Sequence, residues 1–311
     1  MFRSTGLIAR HSMALVFRER TVSFLTVLFM ALVLVSAYLG WSATTTVNAI
    51  YQSAAAFLTS THQPIPPNPV LNTSPLSLLR NMSTYVSLIG SLASIVIGFQ
   101  LVAMDRKGGV VPLIGVRPMA GNAYALGKVF ALVALVLGLV GAAACVSVMT
   151  FQILPEFRLD GTGWRHLTLF FGTSALYMGL FGLMGLASGA YAKSETVSLL
   201  IPVTLWLTVT FIFPQLTSNI HPTAALNPVK ALVDPPHSSF FTYAELVLGP
   251  VSLADAYKVL SARLLEFLPP GHVIRSVVSP ATTLVMATVF SIGLAIVSLR
   301  KMDMTKGDYD A

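Results

Sequence analysis

Apolar stretches with almost no charge recur six times along the chain, at Thr21 to Ala43, Met82 to Met104, Val129 to Phe151, Leu167 to Tyr191, Thr196 to Phe213 and Ser279 to Leu299. An α-helix rises about 1.5 Å per residue, so each stretch is long enough to cross or nearly cross the roughly 30 Å of hydrocarbon in a bilayer. No Asp, Glu, Lys, Arg or His lies well inside any of them. The pattern predicts an all-α polytopic membrane protein with six transmembrane helices.

The segments between the spans add detail. Arg3, Arg10, Arg18 and Arg20 precede the first apolar run, which exceeds the about 7 to 15 residues of a signal-peptide core and so reads as a retained anchor. Leu7, Ile8, Leu15 and Val16 alternate with these arginines, which fits residues 1–20 as an interfacial helix and the bilayer as a partner. From Thr21 to Leu79 there is no charge, and the stretch Gln63-Pro64-Ile65-Pro66-Pro67-Asn68-Pro69 closes it. That combination predicts an outward extension of the first helix followed by a rigid turn.

Residues 214–278 are too many for a structureless loop between the last two spans. Their best helix opens at Ser252, where Ser252 and Asp255 have capping-box spacing. Leu253, Ala256, Tyr257, Leu260, Leu264 and Phe267 share one face, and Pro269-Pro270-Gly271 stops it. Such an amphipathic helix lies on headgroups, packs on its neighbours, or docks an external accessory protein.

Composition agrees with the membrane class: of 311 residues 55% are hydrophobic and 10% charged, against about 25% charged in soluble domains. The net charge of +7 would suggest a nucleic-acid partner in a soluble protein, but here the basic residues flank apolar runs. Twelve Lys and Arg fall on one side of the spans: Arg3, Arg10, Arg18, Arg20, Arg106, Lys107, Arg117, Lys128, Lys193, Arg300, Lys301 and Lys306. The other seven fall opposite, and the acidic residues divide evenly, so the expectation is a bacterial inner membrane with both termini cytoplasmic and no nucleic acid.

Reactive chemistry is sparse. Gly121 to Lys128 imitates a phosphate-binding loop, but five residues separate Gly121 from Gly127 instead of four, and Val129 stands where Ser or Thr would reach magnesium. Lys128 is expected instead to run its stem along the hydrocarbon and reach the interface. Cys145, the single cysteine, is expected as a buried small hydrophobe, and the scattered histidines His62, His166, His221, His237 and His272 lack metal-ligand spacing. No catalytic residue, cofactor site or metal site is expected, and no residue reveals a substrate. Gly179, Gly182, Gly185 and Gly189 line the fourth span, where small residues allow close helix packing.

The segment from Asp105 through Arg106-Lys107-Gly108-Gly109, with Leu113, Ile114, Val116 and Pro118, followed by Gly127-Lys128, resembles the cytoplasmic signature of ABC-2-type permeases. The similarity is nearest to the six-span permeases of the multicopper-enzyme, nitrous oxide reductase maturation type. It implies a type V exporter-like transmembrane domain over residues 21–311, with a cytoplasmic coupling region at 105–128 and an external segment at 214–278. It further implies that Asp105, Gly108, Gly109, Leu113, Ile114, Val116 and Pro118 meet a cytoplasmic ABC ATPase, which carries the ATP and magnesium, and that two permeases pair. The chain departs from the family pattern in having Asp105 alone before basic Arg106 and Lys107, and in Pro112, which moves the start of the coupling helix to Val111. The implied function is the permease subunit of an ABC transporter; a membrane anchor for an external partner and a secondary transporter are the alternatives.

Overall fold

The computed structural model describes residues 2–70, 74–107, 121–153, 159–217, 243, 247–249, 252–267 and 278–302. Among them there is no strand. The elements that matter are α1 (Phe2–Val16), α2 (Arg20–Ser60), α3 (Pro75–Lys107), α4 (Gly121–Ile153), α5 (Gly161–Tyr191), α6 (Glu195–Ile212), α7 (Leu253–Leu264) and α8 (Pro280–Lys301). Six of these, α2 to α6 and α8, are long and apolar enough to cross a membrane. The chain is therefore a helical, multi-pass membrane protein.

Helices α3 and α5 form the centre, and glycine decides how closely they approach. A Cβ on Gly98 of α3 would run into the carbonyl oxygen of Gly182, and one on Gly185 of α5 would run into that of Ile95. Gly189 is milder, its Cβ meeting the Phe99 carbonyl oxygen at 3.3 Å. Lipid tails are as apolar as side chains, so helices in a bilayer gain little from burial alone and associate through tight packing at small residues. Gly179 does not join this seam, since a Cβ there would meet open space within the chain. Gly98 is the reciprocal partner that a search for repeated glycines on one helix passes over.

Helix α6 joins the centre through Trp206, whose Nε1 donates to Ser91 Oγ at 2.7 Å. Helices α2, α6 and α8 keep most of their apolar surface outward, as spans facing hydrocarbon do. Cys145 also lies exposed on the outside of α4, contrary to the expected burial. A cysteine in contact with lipid tails needs no more polar satisfaction than one in a core, so apolarity of the run could not separate the two positions.

At 41 residues α2 is about 60 Å long, twice the hydrocarbon thickness. The extension of the first helix expected from the charge-free stretch is present, and the proline-rich return folds back along it. Tyr51 donates its hydroxyl to the Pro66 carbonyl at 2.9 Å, and Asn68 Nδ2 donates to Asn48 Oδ1 at 3.1 Å.

Helix α7 packs on α5 and α8, so its apolar face is taken up by the chain itself. Tyr257 stacks on Tyr177 with centroids 4.4 Å apart and shares a 2.9 Å hydrogen bond with Ser174. Burial pushes the Tyr257 phenol above its usual range. Two details correct the sequence reading. The Ser252 hydroxyl donates to the Asp255 carboxylate at 2.6 Å instead of capping a backbone N–H. The helix also ends at Leu264, before the prolines, because Glu266 takes a left-handed φ of 54° and lets Phe267 N–H reach back to the Ala262 carbonyl at 3.1 Å. Glu266 then pairs with His166 of α5 at 2.8 Å, and the Arg80 guanidinium of α3 lies 5.5 Å from the Phe267 ring centre.

Candidate functional site: a charged clasp at the foot of four spans

Three consecutive residues end α3, and each holds a different neighbour. Asp105 points inward. Its Oδ2 lies 2.6 Å from Lys128 Nζ and accepts the Tyr124 hydroxyl at 2.9 Å. Tyr124 and Lys128 are four apart on α4, one turn, so both reach the same carboxylate from one helix face. Lys128 Nζ also donates to Ser12 Oγ of α1 at 2.9 Å and to the Leu101 carbonyl, and it lies 5.3 Å from the Tyr124 ring centre.

The pair is sealed from solvent, with side-chain exposures of 1% for Lys128 and 5% for Asp105. Helix α1 is part of the seal. Ile8 sits against Gly127 so closely that a Cβ there would come within 2.8 Å of its methyl. The adjacent Gly127-Lys128 thus has a physical reason: the glycine admits α1, and the lysine crosses beneath it to Asp105. Desolvating two charges costs several kcal/mol each, which the mutual attraction and the added hydrogen bonds offset.

Arg106 turns to α5. Its Nη1 donates to the carbonyls of Gly189 at 3.1 Å and Ala192 at 2.7 Å. Carbonyls in the last turn of a helix lack partners along their own helix and carry its negative pole, so a buried guanidinium is stabilising there. Lys107 bridges Glu195 at 2.6 Å, at the first residue of α6. Glu195 also suits the positive pole of α6, and the preceding Ser194 caps it by accepting the Val197 N–H at 3.3 Å. The Lys107 bridge is half exposed and contributes little; the two buried contacts carry the clasp.

The arrangement ties together α1, α3, α4, α5 and α6, with the Lys107–Glu195 bridge as its half-exposed part. This corrects one expectation. Lys128 does not reach out to an interface, because Asp105 gives its ammonium a partner closer than water. Asp105, the first residue of the implied coupling surface, is 4% exposed and committed to Lys128. Of the remaining residues of the implied coupling surface, Gly108, Gly109, Leu113, Ile114, Val116 and Pro118 lie outside the described residues. Arg106 and Lys107, which depart from the family pattern, have partners that a linear reading does not provide.

A usable signal was present: an acidic residue and a lysine at facing ends of consecutive apolar runs, joined by a short connection, are placed by antiparallel packing at one level of a bilayer. Among the described residues no group of three His, Cys, Asp or Glu could hold a metal ion. Compared with protein-family models and with curated proteins, the sequence matches none.

Proposed function

We propose that this chain is the membrane-spanning permease subunit of an ABC transporter, with residues 105–128 as the region that receives force from a separate cytoplasmic ATPase. The observation that carries the reading is the clasp. Asp105 to Lys107 precede the connection 108–120 and Tyr124 and Lys128 follow it, and both of these flanking groups are bonded to neighbouring helices. A load on this connection would reach α3, α4, α5 and α6 together, which is what a coupling element requires. The resemblance of Asp105 to Lys128 to ABC-2-type permeases supports the same assignment, as does the Lys/Arg division that puts this end in the cytoplasm.

In this reading two permeases, identical or related, sit on two ATPases that hold ATP and magnesium. Nucleotide binding biases the permease between conformations that differ in affinity for the cargo, since a ligand that binds both equally shifts nothing. Work in metalloenzyme maturation is part of the proposal through the family resemblance alone.

The test is copurification of the ATPase with wild-type and Leu113→Glu permease at equal membrane abundance. A charge placed in an apolar interface without a partner costs several kcal/mol, so docking should weaken strongly while folding and insertion persist. Undiminished copurification together with undiminished transport would remove the coupling assignment and favour an anchor or a secondary transporter.

A further inference from the structure

Among the described residues of the six spans, α6 alone carries proline beyond its first turn. Pro202 sits inside it, and Pro214 lies just past its end in the helical continuation Phe213–Thr217. A proline ring donates no N–H and crowds the carbonyl four residues earlier. For Pro202 that carbonyl belongs to Ser198. For Pro214 it belongs to Thr210, the middle of the turn Thr208–Ile212, which is widened to π geometry. The Thr208 hydroxyl donates to the Thr204 carbonyl at 2.9 Å, a back-bond that also bends helices. The sequence thus weakens α6 at two places.

Attachments to the neighbouring helices decide which of the two can move. The foot of α6 is tied to α5 by the connection 192–194, whose Ala192 carbonyl holds Arg106, and Glu195 meets Lys107 at 2.6 Å. Farther up, Trp206 Nε1 donates to Ser91 Oγ at 2.7 Å and lies 3.4 Å from the Ser87 carbonyl, both on α3. Pro202 falls between these attachments, so the bend there is held. The turn Thr208–Ile212 falls beyond them.

The α3 side of the Trp206 bond is the firmer one. Ser87 belongs to a second π turn, Val86–Gly90, and a Cβ on Gly90 would press on Met178 of α5 and Phe29 of α2, at 3.1 Å from each. Helix α3 is 83% buried along its span and α6 only 28%, so α6 is the member free to bend. Phe211 rests edge-on against the Trp206 ring with centroids 5.9 Å apart, which gives the turn a surface to move on. Val209 and Phe213 also line an apolar cleft shared with Met286 and Phe290 of α8. Movement there exchanges side-chain contacts for lipid tails of equal apolarity.

We propose that residues 208–217 form a hinged arm that swings at the π turn about Trp206 as a fixed pivot and changes the width of the cleft to α8, while α6 below Trp206 stays with the clasped helices. This inference does not rest on the transporter reading, since it follows from the placement of the prolines and the bond to α3.

The test puts spin labels on cysteine pairs in the full Cys145→Ala chain, in nanodiscs of phosphatidylethanolamine and phosphatidylglycerol, and reads distance distributions by pulsed electron resonance. Leu216→Cys with Met149→Cys relates the arm to the end of α4 away from the clasp. Leu200→Cys with Phe130→Cys relates the lower part of α6 to the end of α4 beside the clasp; Met149, Leu200 and Phe130 are all exposed. The arm pair should give a several-fold wider distribution than the lower pair. Pro214→Ala restores an N–H and relieves the crowding at Thr210, and it should narrow the arm pair to the width of the lower one. Trp206→Phe keeps the ring and loses the N–H, and it should widen the lower pair several-fold. Ser91→Ala removes the same bond from the α3 side and reads the pivot should the tryptophan change impair folding. Equal widths of the two pairs before these changes would remove the hinge. An arm pair unaltered by Pro214→Ala would remove the π turn as its source, and a lower pair unaltered by both Trp206→Phe and Ser91→Ala would remove the pivot.

Discussion

Replacing Lys128 with Met removes a charge, keeps most of the stem, and leaves the Asp105 carboxylate buried with the Tyr124 hydroxyl. Because the two side chains are 1% and 5% exposed, solvent screening offers almost no relief. Removing one partner of such a pair costs about 3–5 kcal/mol, most of it the penalty of the charge left behind. Asp105→Asn leaves the opposite charge buried, softened by Ser12 and the Leu101 carbonyl, and should cost somewhat less. The double variant has no net charge to bury and should recover much of the loss, since replacing both members of a buried pair is often near neutral. Thermal unfolding of the purified protein in one detergent, run on all four forms, measures the coupling as the departure from additivity. Additive losses would refute the reasoning, because two side chains at 2.6 Å that do not feel each other are not a buried ion pair.

Gly98→Ala and Gly185→Leu should each lower the unfolding temperature, by amounts corresponding to about 1–3 kcal/mol of overpacking, whereas Gly179→Ala should be neutral or slightly stabilising. Equal effects at Gly98 and Gly179 would contradict the glycine seam. Asp160 caps α5 by accepting the Thr162 hydroxyl at 2.6 Å and the Gly163 N–H at 2.7 Å, and the Thr162 bond foremost holds its carboxyl below the ordinary 3.8. A depressed carboxyl stabilises fully above its unfolded value and loses that contribution as pH falls through the folded one. Asp160→Ala should therefore melt lower than wild type at neutral pH, and the gap should narrow on acidification below 3.8; a gap constant with pH would exclude the cap's ionisation as its source.

What was legible in the sequence followed from length and periodicity. Six apolar runs became six helices because a bilayer leaves the backbone no other way to satisfy itself at this span length. The extension of α2 was legible for a related reason: without charge or proline before residue 64, nothing ended the helix at the interface. Partners across the fold were not legible. Gly182 and Gly185 could be read as packing residues, but Gly98 is eight positions from Gly90, the other glycine of its helix, and gains meaning only when α5 lies against it. Lys128 read as a membrane-edge lysine because its nearest acid in sequence, Asp105, is 23 positions away, and only the antiparallel return of α4 along α3 brings the two together. The end of α7 was misplaced because a left-handed Glu266 is uncommon for a residue with a side chain.

Strength and slack lie at opposite ends of this bundle, and that bears on how it could move. At the clasp, Asp105, Arg106 and Lys107 fix α3 to α4, α5 and α6 within three residues, and the glycine seam continues the attachment of α3 to α5 along their length. Sliding any one of these helices past another would break a buried ion pair, uncover two carbonyls of α5, or force backbone into backbone. Tilting the group as a unit breaks none of them. At the other end α6 and α8 border a cleft instead of packing side to side, so the cost of changing their separation is repacking of apolar surface against lipid tails, which are as apolar as the side chains they replace. A displacement imposed at the foot of α3 is therefore most cheaply taken up as a rotation of the clasped helices that alters the width of the cleft between α6 and α8.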